Sequence, residues 1–304
     1  MMRPFLFLVI LFFLFTCSCT FAPTQTALHA TPAKQPVMTQ SLPASKDYSS
    51  MQAKIDKIIQ DQASFSYSFI DLTTEQELTH RSHAMPSASM IKMFIMAKVM
   101  QDIQDGKLSL DTRLTMYAED KVGGAGTLQG CASGSSFSID TLLHKMIIES
   151  DNTATNMLID RIGMDAVNTY IRQNGYHDTV LQRKMMDLAS LSAGKDNFTS
   201  TRDLAKLFHH IYRQTCVSPQ YDAQMIDILL QQEDTDKIPL YLPPNTKVAH
   251  KTGEINCVLN DGGIIYGSQN DFILVLMSED SYSLCETKSC MGRVSRLIYD
   301  ELNP

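Results

Sequence analysis

The chain contains 304 residues, of which 44% are apolar and 19% are charged, a composition typical of a globular protein. This length leaves room for one large domain or for two lobes that share a core. The chain has 26 basic and 33 acidic residues, a net charge of −7. This balance argues against a nucleic-acid partner, because nucleic-acid-binding surfaces carry a basic excess.

Residues 1–19 have the pattern of a signal peptide. Arg3 provides a positive charge, and residues 4–15 form an apolar run that is short for a membrane span but suits the core of a signal peptide. Cys17 and Cys19 follow at once, so lipidation at either cysteine, simple cleavage and an uncleaved anchor all stay open. We therefore expect an exported protein in the periplasm or at the cell surface. It would contact a membrane through this N-terminal anchor at most.

The rest of the chain divides into a linker and a folded part. Residues 20–47 are rich in Thr, Pro, Ala and Gln and lack apolar periodicity, which predicts a flexible linker. Residues 48–304 are predicted to form one catalytic domain, which we expect to be monomeric. Five cysteines lie in this part, and export would place them in an oxidising compartment. Cys285 and Cys290 are the best disulfide candidates, although the connectivity stays open.

Apolar periodicity in the folded part predicts helices at both ends, strands next to them and helices between. A helix is predicted over 47–62, a strand over 64–73 and its hairpin partner over 77–81. Helices follow over 90–103, 139–149, 154–161, 166–173, 201–214 and 223–230, then strands over 247–251, 261–266 and 271–277, and a helix over 292–302. This order predicts a two-lobed α/β fold. An antiparallel sheet of about five strands would be covered by the terminal helices and joined to an all-α lobe, with a site in the cleft.

Three short motifs carry candidate chemistry. Ser89 and Lys92 lie three residues apart at the start of a predicted helix, so their side chains share one face. A lysine whose charge is destabilised can act as the base that a serine nucleophile requires, while a surface helix is the ordinary interpretation of this spacing. The other two motifs are residues 150–152 (Ser-Asp-Asn), which also suit a helix cap, and residues 251–253 (Lys-Thr-Gly), which also suit the exit of a strand.

Together, and in this order, the three motifs resemble the set shared by class A β-lactamases and penicillin-binding proteins. The resemblance covers about residues 48–304 and includes the predicted two-lobed fold. It implies that Ser89 attacks an amide carbonyl with the help of Lys92 and becomes acylated. It also implies that Ser150 and Lys251 pass a proton to the leaving nitrogen. No metal or other cofactor is implied, and the partner is a small-molecule or peptidoglycan-peptide substrate.

The remaining motif residues are implied to hold the substrate. Asn152 would bind its amide and Thr252 its carboxylate, while Gly253 would let it approach the strand closely. The backbone N–H of Glu254 would join that of Ser89 as a donor to the oxyanion. His250 either tunes this site or simply lies on the strand.

One segment departs from the family's pattern. Class A β-lactamases carry a loop between the second and third motifs in which a Glu activates the deacylating water. The matching stretch here starts at Arg183, and counting from it places Met185 at the position of that Glu and Ala189 at that of a conserved Asn. Asp187 is the nearest carboxylate, and no clear Arg follows the third motif to bind a substrate carboxylate. The acylation residues are therefore present, while the deacylation residues are missing.

Three functions stay open on this basis. The first is a serine hydrolase that forms an acyl-enzyme with β-lactams or related amides. The second is a cell-wall enzyme that acts on D-alanyl peptides as a carboxypeptidase or transpeptidase. The third is a penicillin-binding or sensor protein that is acylated without turnover. The missing Glu favours the second and third, and the single-domain layout favours the first.

Overall fold

The computed structural model describes residues 45–62 and 64–304. The predicted signal peptide with Cys17 and Cys19, and most of the predicted linker, lie outside these residues and stay predictions. The helices are α1 Ser49–Ile59, α2 Lys92–Gln104, α3 Ile139–Ile148, α4 Asn152–Ile162, α5 Met164–Gln173, α6 Leu188–Ser192, α7 Thr201–Tyr212, α8 Pro219–Leu229 and α9 Leu284–Leu302. The strands are β1 Ser64–Asp71, β2 Glu77–His80, β3 Met85–Pro86, β4 Arg113–Thr115, β5 Ser136–Ser138, β6 Phe198–Thr199, β7 Lys247–Ile255, β8 Val258–Tyr266 and β9 Phe272–Glu279.

The main sheet has five antiparallel strands in the order β2–β1–β9–β8–β7, which confirms the predicted fold class. Its strands come from both ends of the chain, so β1 pairs with β9 and the third motif lies on the edge strand β7. Two short ladders, β3–β6 and β4–β5, lie outside this sheet. They and α6 have no periodic apolar pattern, which is why the sequence does not predict them.

The two faces of the sheet pack against different helices. Alternate side chains such as Phe65, Tyr67 and Phe69 point towards α1 and α9 and form one buried cluster. The opposite face, including Val275 and Met277, packs against the helical lobe. At the centre of that lobe α2 is buried on nearly all sides, as expected for an apolar helix inside a core. No helix in the described part of the chain combines the length and the apolarity needed to cross a membrane.

Two predictions about the C-terminal part are wrong. Helix α9 begins at Leu284 rather than near residue 292, because a Ser283 cap and several polar residues precede its apolar stripe. Consequently Cys285 and Cys290 lie on one helix, five positions and about 140° apart around its axis. Both are free thiols, the first exposed and the second buried against the sheet. The best disulfide candidates therefore point in different directions.

Candidate active site

Ser89 lies in a short 3-10 turn, Ala88–Ile91, that leads directly into α2. The residue before it, Ala88, has a φ of +45°, a left-handed conformation that costs energy for a residue with a Cβ. Strand β8 holds this turn, because the Asn260 amide donates to the carbonyls of Pro86 and Ser87 at 3.1 and 3.2 Å. Ser89 itself is half-buried and lines the cleft.

Lys92 lies one helical turn beyond Ser89 and is completely buried. Its ammonium donates to the Ser150 carbonyl at 2.6 Å, to Ser150 Oγ at 3.1 Å and to Asn152 Oδ1 at 3.0 Å. Lys251 is also completely buried and donates to the same Ser150 Oγ at 3.1 Å. Both lone pairs of the Ser150 hydroxyl therefore accept hydrogen bonds from lysines, which leaves its own O–H free to donate into the cleft.

Burial makes both lysines easier to deprotonate than usual. Desolvation lowers the pKa of Lys92 well below its ordinary value, and the neighbouring Lys251 ammonium lowers it further against the opposing charge of Asp151. Desolvation also lowers the pKa of Lys251 to about 7, although the Asp261 carboxylate acts in the opposite direction. A neutral Lys92 has one lone pair and is a base, which is the form that proton removal from Ser89 requires.

The second motif is held by a glycine-rich loop. Ser150 has a φ of +53°, and Asp151 caps α4 by accepting from Ala154 N at 2.8 Å. The loop packs so closely that a Cβ at Gly126 would lie 2.2 Å from the Asp151 carboxylate. Asn152 donates through Nδ2 to the Gly123 carbonyl at 2.8 Å. This loop borders the cleft, and it orients the Asn152 amide.

The third motif lies inside β7, which continues to Ile255, and not at the end of a strand as the sequence predicts. Since β7 is an edge strand, one side of its backbone is paired with β8 and the other faces the cleft. A Cβ on Gly253 would lie only 3.1 Å from Ser89 N, so the strand passes directly beside the serine. Thr252 borders an adjoining opening together with Ser150, while Glu254 lines the cleft itself.

The segment from Arg183 to Asp196, called here the 183–196 loop, is closed by an ion pair between Arg183 Nε and Asp196 Oδ1 at 2.8 Å. Asn197, which follows the loop, holds its start, because Asn197 Oδ1 accepts from Arg183 N at 3.0 Å. The carbonyl of Asn197 also accepts from Ser87 N at 2.9 Å, which fixes the loop beside the turn of Ser89. Met185 is 7% exposed and lines the same cleft as Ser89. The loop thus borders the cleft of Ser89 with Met185 and Met186, and Met185 also belongs to the buried core.

The carboxylate nearest to Met185 along the chain serves another purpose. Asp187 caps α6 by accepting from Ser190 N at 2.9 Å and from Ser190 Oγ at 2.7 Å. Both hydrogen bonds lower the pKa of the Asp187 carboxyl group, and the one from the Ser190 backbone has the larger effect. Asp187 does not line the cleft that holds Ser89, and Ala189 is exposed on α6. Neither residue replaces the missing Glu.

His250 does not reach the cleft. Its side chain lies on the opposite face of β7 from Lys251, and its Nδ1 is 2.9 Å from Asp261 Oδ1. Both groups are almost completely buried. Asp261 Oδ2 accepts in addition from Ile238 N at 2.9 Å. Of the two interpretations left open for His250, this position favours the one in which it simply lies on the strand.

Seven of the eight predicted site residues border the cleft or its adjoining opening or share hydrogen bonds there, and the eighth, Gly253, lies against the backbone of Ser89. The sequence motifs did not reveal four supporting residues, namely Asn156, Asp196, Asn197 and Asn260. Asn156 is the clearest omission, because its side chain accepts from Met185 N at 2.8 Å and donates to the Met185 carbonyl at 3.1 Å. A polar residue one turn after Asn152 on a buried helix was the available signal.

Comparisons with known proteins agree with this geometry. Residues 50–302 match the family described as the Beta-lactamase enzyme family. The chain is 28% identical over 210 residues to a β-lactamase of Streptomyces lavendulae, covering 66% of this chain and 65% of that protein. It is 25% identical over 211 residues to β-lactamase VEB-1 of Pseudomonas aeruginosa, covering 64% and 70%. The chain thus spans about two thirds of the length of these curated relatives.

Solved structures give the same result at higher coverage. A structure described as PBP-A has a TM-score of 0.78 at 28% identity, over 86% of this chain and 98% of that one. A β-lactamase from Sphaerobacter thermophilus DSM 20745 has a TM-score of 0.78 at 25% identity, over 84% and 98%. With the family match spanning most of its length, this chain belongs to the β-lactamase enzyme family.

Proposed function

We propose that the protein is an exported serine enzyme that opens β-lactams or related amides by acylation of Ser89 and releases the acyl group slowly. The observation that carries the second part is Met185 in the cleft, where the family's water-activating carboxylate is expected. Export rests on the sequence pattern of residues 1–19 alone.

The first step follows from the buried lysines. A neutral Lys92 takes the proton of Ser89, and Oγ forms a bond to the amide carbonyl carbon while the carbonyl oxygen becomes negative. The N–H groups of Ser89 and Glu254 would stabilise that oxygen, at the positive end of α2 and on the open edge of β7. Ser150 then gives its free proton to the leaving nitrogen as the amide bond breaks, and the lysines that donate to its oxygen resupply it.

The second step lacks a base. Hydrolysis of the ester on Ser89 requires removal of a proton from water, and a thioether sulfur is only a weak hydrogen-bond acceptor. Two carboxylates line the cleft, and both are engaged: Asp196 by Arg183, and Glu254 by Lys237 and Lys288. The acyl-enzyme therefore persists until another nucleophile attacks it or until slow hydrolysis occurs.

A second candidate function, action on D-alanyl peptides of the cell wall, is favoured by the same observation. An enzyme that transfers its acyl group to an amine has no need of an activated water. One neighbour at 28% identity is described as a mutant of PBP-A in an acyl-enzyme complex with penicillin G, which supports acylation by penicillin under either candidate. The open edge of β7 also suits an extended peptide, which pairs with exposed strand backbone.

The test is to mix the purified protein with a fluorescent penicillin and a chromogenic cephalosporin, and to follow intact mass and absorbance together. We expect one penicilloyl adduct per chain that persists for minutes or longer, with little cephalosporin turnover, and no adduct on Ser89→Ala. Rapid repeated turnover would contradict slow release, and an adduct that survives Ser89→Ala would contradict the nucleophile. Release of D-alanine from a muramyl pentapeptide is the result that the second candidate requires.

A further inference from the structure

A cluster of charged side chains lies beside β7, where Asp234 borders the same opening as Ser150 and Thr252. Lys237 is completely buried, and its ammonium contacts Asp234 Oδ2 at 2.7 Å, Asp236 Oδ1 at 2.6 Å and Glu254 Oε2 at 3.6 Å. Lys288 on α9 contacts Asp236 Oδ2 at 2.7 Å and Glu254 Oε2 at 3.0 Å. We call these five residues the charge cluster. It joins three segments of chain, namely residues 234–237, β7 and α9.

The position of Glu254 gives this cluster a connection to the cleft. Glu254 is the next-to-last residue of β7, and the turn at residues 256–257 follows it. Strand β7 is hydrogen-bonded to β8 on one side only, so its last residues have no second strand to fix them. The charge cluster contacts this end of the strand through the Glu254 carboxylate, while Glu254 also lines the cleft.

Charge balance makes Lys288 the critical member. The cluster contains three carboxylates and two ammonium groups. Burial disfavours the charge of Lys288, but hydrogen bonds to Asp236 and Glu254 outweigh this and raise its pKa. Removal of Lys288 would leave Lys237 to balance all three carboxylates, and its contact with Glu254 is the longest of the three at 3.6 Å, so Glu254 would be held less firmly.

We propose that Lys288 is a positioning residue for acylation, which holds Glu254 so that its backbone N–H reaches the oxyanion. This inference rests on the proposed function. Partly exposed ion pairs contribute little to stability, so a purely structural role predicts almost no effect on the reaction. Displacement of an oxyanion donor by a fraction of an ångström, in contrast, weakens transition-state binding without changing the initial binding of substrate.

The experiment compares Lys288→Met with Lys288→Arg, using the rate of penicillin acylation and the infrared carbonyl band of the acyl-enzyme. We expect Lys288→Met to lower the limiting acylation rate about tenfold with the initial binding constant unchanged. Its ester carbonyl band should move to higher wavenumber, because weaker hydrogen bonds polarise the carbonyl less. Lys288→Arg should restore both. Lys54→Met is the matched control, since Lys54 pairs with Glu301 near the other end of α9 and should change neither.

Glu254→Gln provides an independent variant, because it removes the charge but retains the backbone N–H. It should reproduce the band shift, and combining it with Lys288→Met should add little. If the wild type is acylated and both variants match it in rate and in carbonyl band, the positioning role is wrong while the proposed function stands. A wild type that is not acylated at all overturns both.

Discussion

Both sides of the cleft are held in place by hydrogen bonds or ion pairs, but the side chains that they bring to the cleft differ in chemistry. On one side, Lys92 and Lys251 are buried and converge on the hydroxyl of Ser150 at 3.1 Å each. On the other, the 183–196 loop is closed by an ion pair and held by Asn197, and Met185 lines the cleft there. The carboxylate of this loop that lines the cleft, Asp196, is the one engaged by Arg183. In this protein a loop that is firmly held in place therefore borders the nucleophile without an unpaired carboxylate.

The side of the cleft with the buried lysines also lowers the stability of the fold, whereas the side with Met185 does not. Burial disfavours the charge of both lysines, and the Lys251 ammonium further disfavours that of Lys92. Such an arrangement destabilises the fold and is expected where function requires it. Met185, in contrast, is an apolar side chain in a mostly buried position. We therefore expect substitutions on the lysine side to affect acylation and those at Met185 to affect deacylation.

The largest effect is expected for Lys92→Met, which keeps the length of the side chain but removes the base. The rate of penicillin acylation should fall about 10³-fold, measured by intact mass over time, because proton removal from Ser89 loses its catalyst. Lys98→Met is the matched control on the same helix, where Lys98 pairs with Asp102, and it should acylate normally. If Lys92→Met is acylated at the wild-type rate, Lys92 is not the base and the lysine side does not govern acylation.

The next effect concerns the opposite side. Met185→Glu should accelerate loss of the penicilloyl adduct about 100-fold, because the new carboxylate lies in the cleft with Ser89 and its backbone is already held by Asn156. Burial raises the pKa of such a carboxyl group and makes it a better base near neutral pH. The measurement is the decay of the adduct mass after removal of free penicillin.

Leu188→Glu is the control for this change. Leu188 lies on the same loop but is 61% exposed and does not line the cleft, so a carboxylate there should leave the adduct lifetime unchanged. Equal lifetimes for Met185→Glu and the wild type would show that the loop is not placed to activate water. The apolar residue would then be irrelevant to the slow release that we propose.

The sequence predicted Ser89 and Lys92 better than it predicted the residues that hold them in place. Local patterns identify Ser89 and Lys92 because both lie on one turn of helix, and apolar periodicity predicts most helices and all five strands of the main sheet. The extension of β7 to Ile255 was missed because Gly253 and Glu254 disfavour strand locally, and pairing with β8 overrides that preference. Asn197 and Asn260 were missed because their roles depend on contacts with Ser87 across more than a hundred residues of chain.

The smallest effect for a single step, about tenfold in the unfolding equilibrium per pH unit, concerns the stability of the fold and tests the cost of the buried lysines directly. In the folded protein burial lowers the pKa of Lys251 to about 7 from the ordinary value of 10.5. Between these values the unfolded chain binds a proton that the folded chain does not, so the free energy of unfolding rises with pH across this window. The contribution of one such group is about 1.4 kcal/mol per pH unit.

Lys251→Met lacks this group, so its advantage in stability over the wild type should be largest at pH 7 and should shrink as the pH approaches 10. Urea unfolding of both chains at pH 7.5, 8.5 and 9.5 measures the difference. Lys92 titrates in both chains. Its pKa should be higher in the variant, because the Lys251 ammonium that lowers it is absent. Parallel curves would mean that Lys251 keeps its proton when buried. Its ammonium would then be a fixed charge for a substrate carboxylate, and the resupply of the Ser150 proton would fall to Lys92 alone.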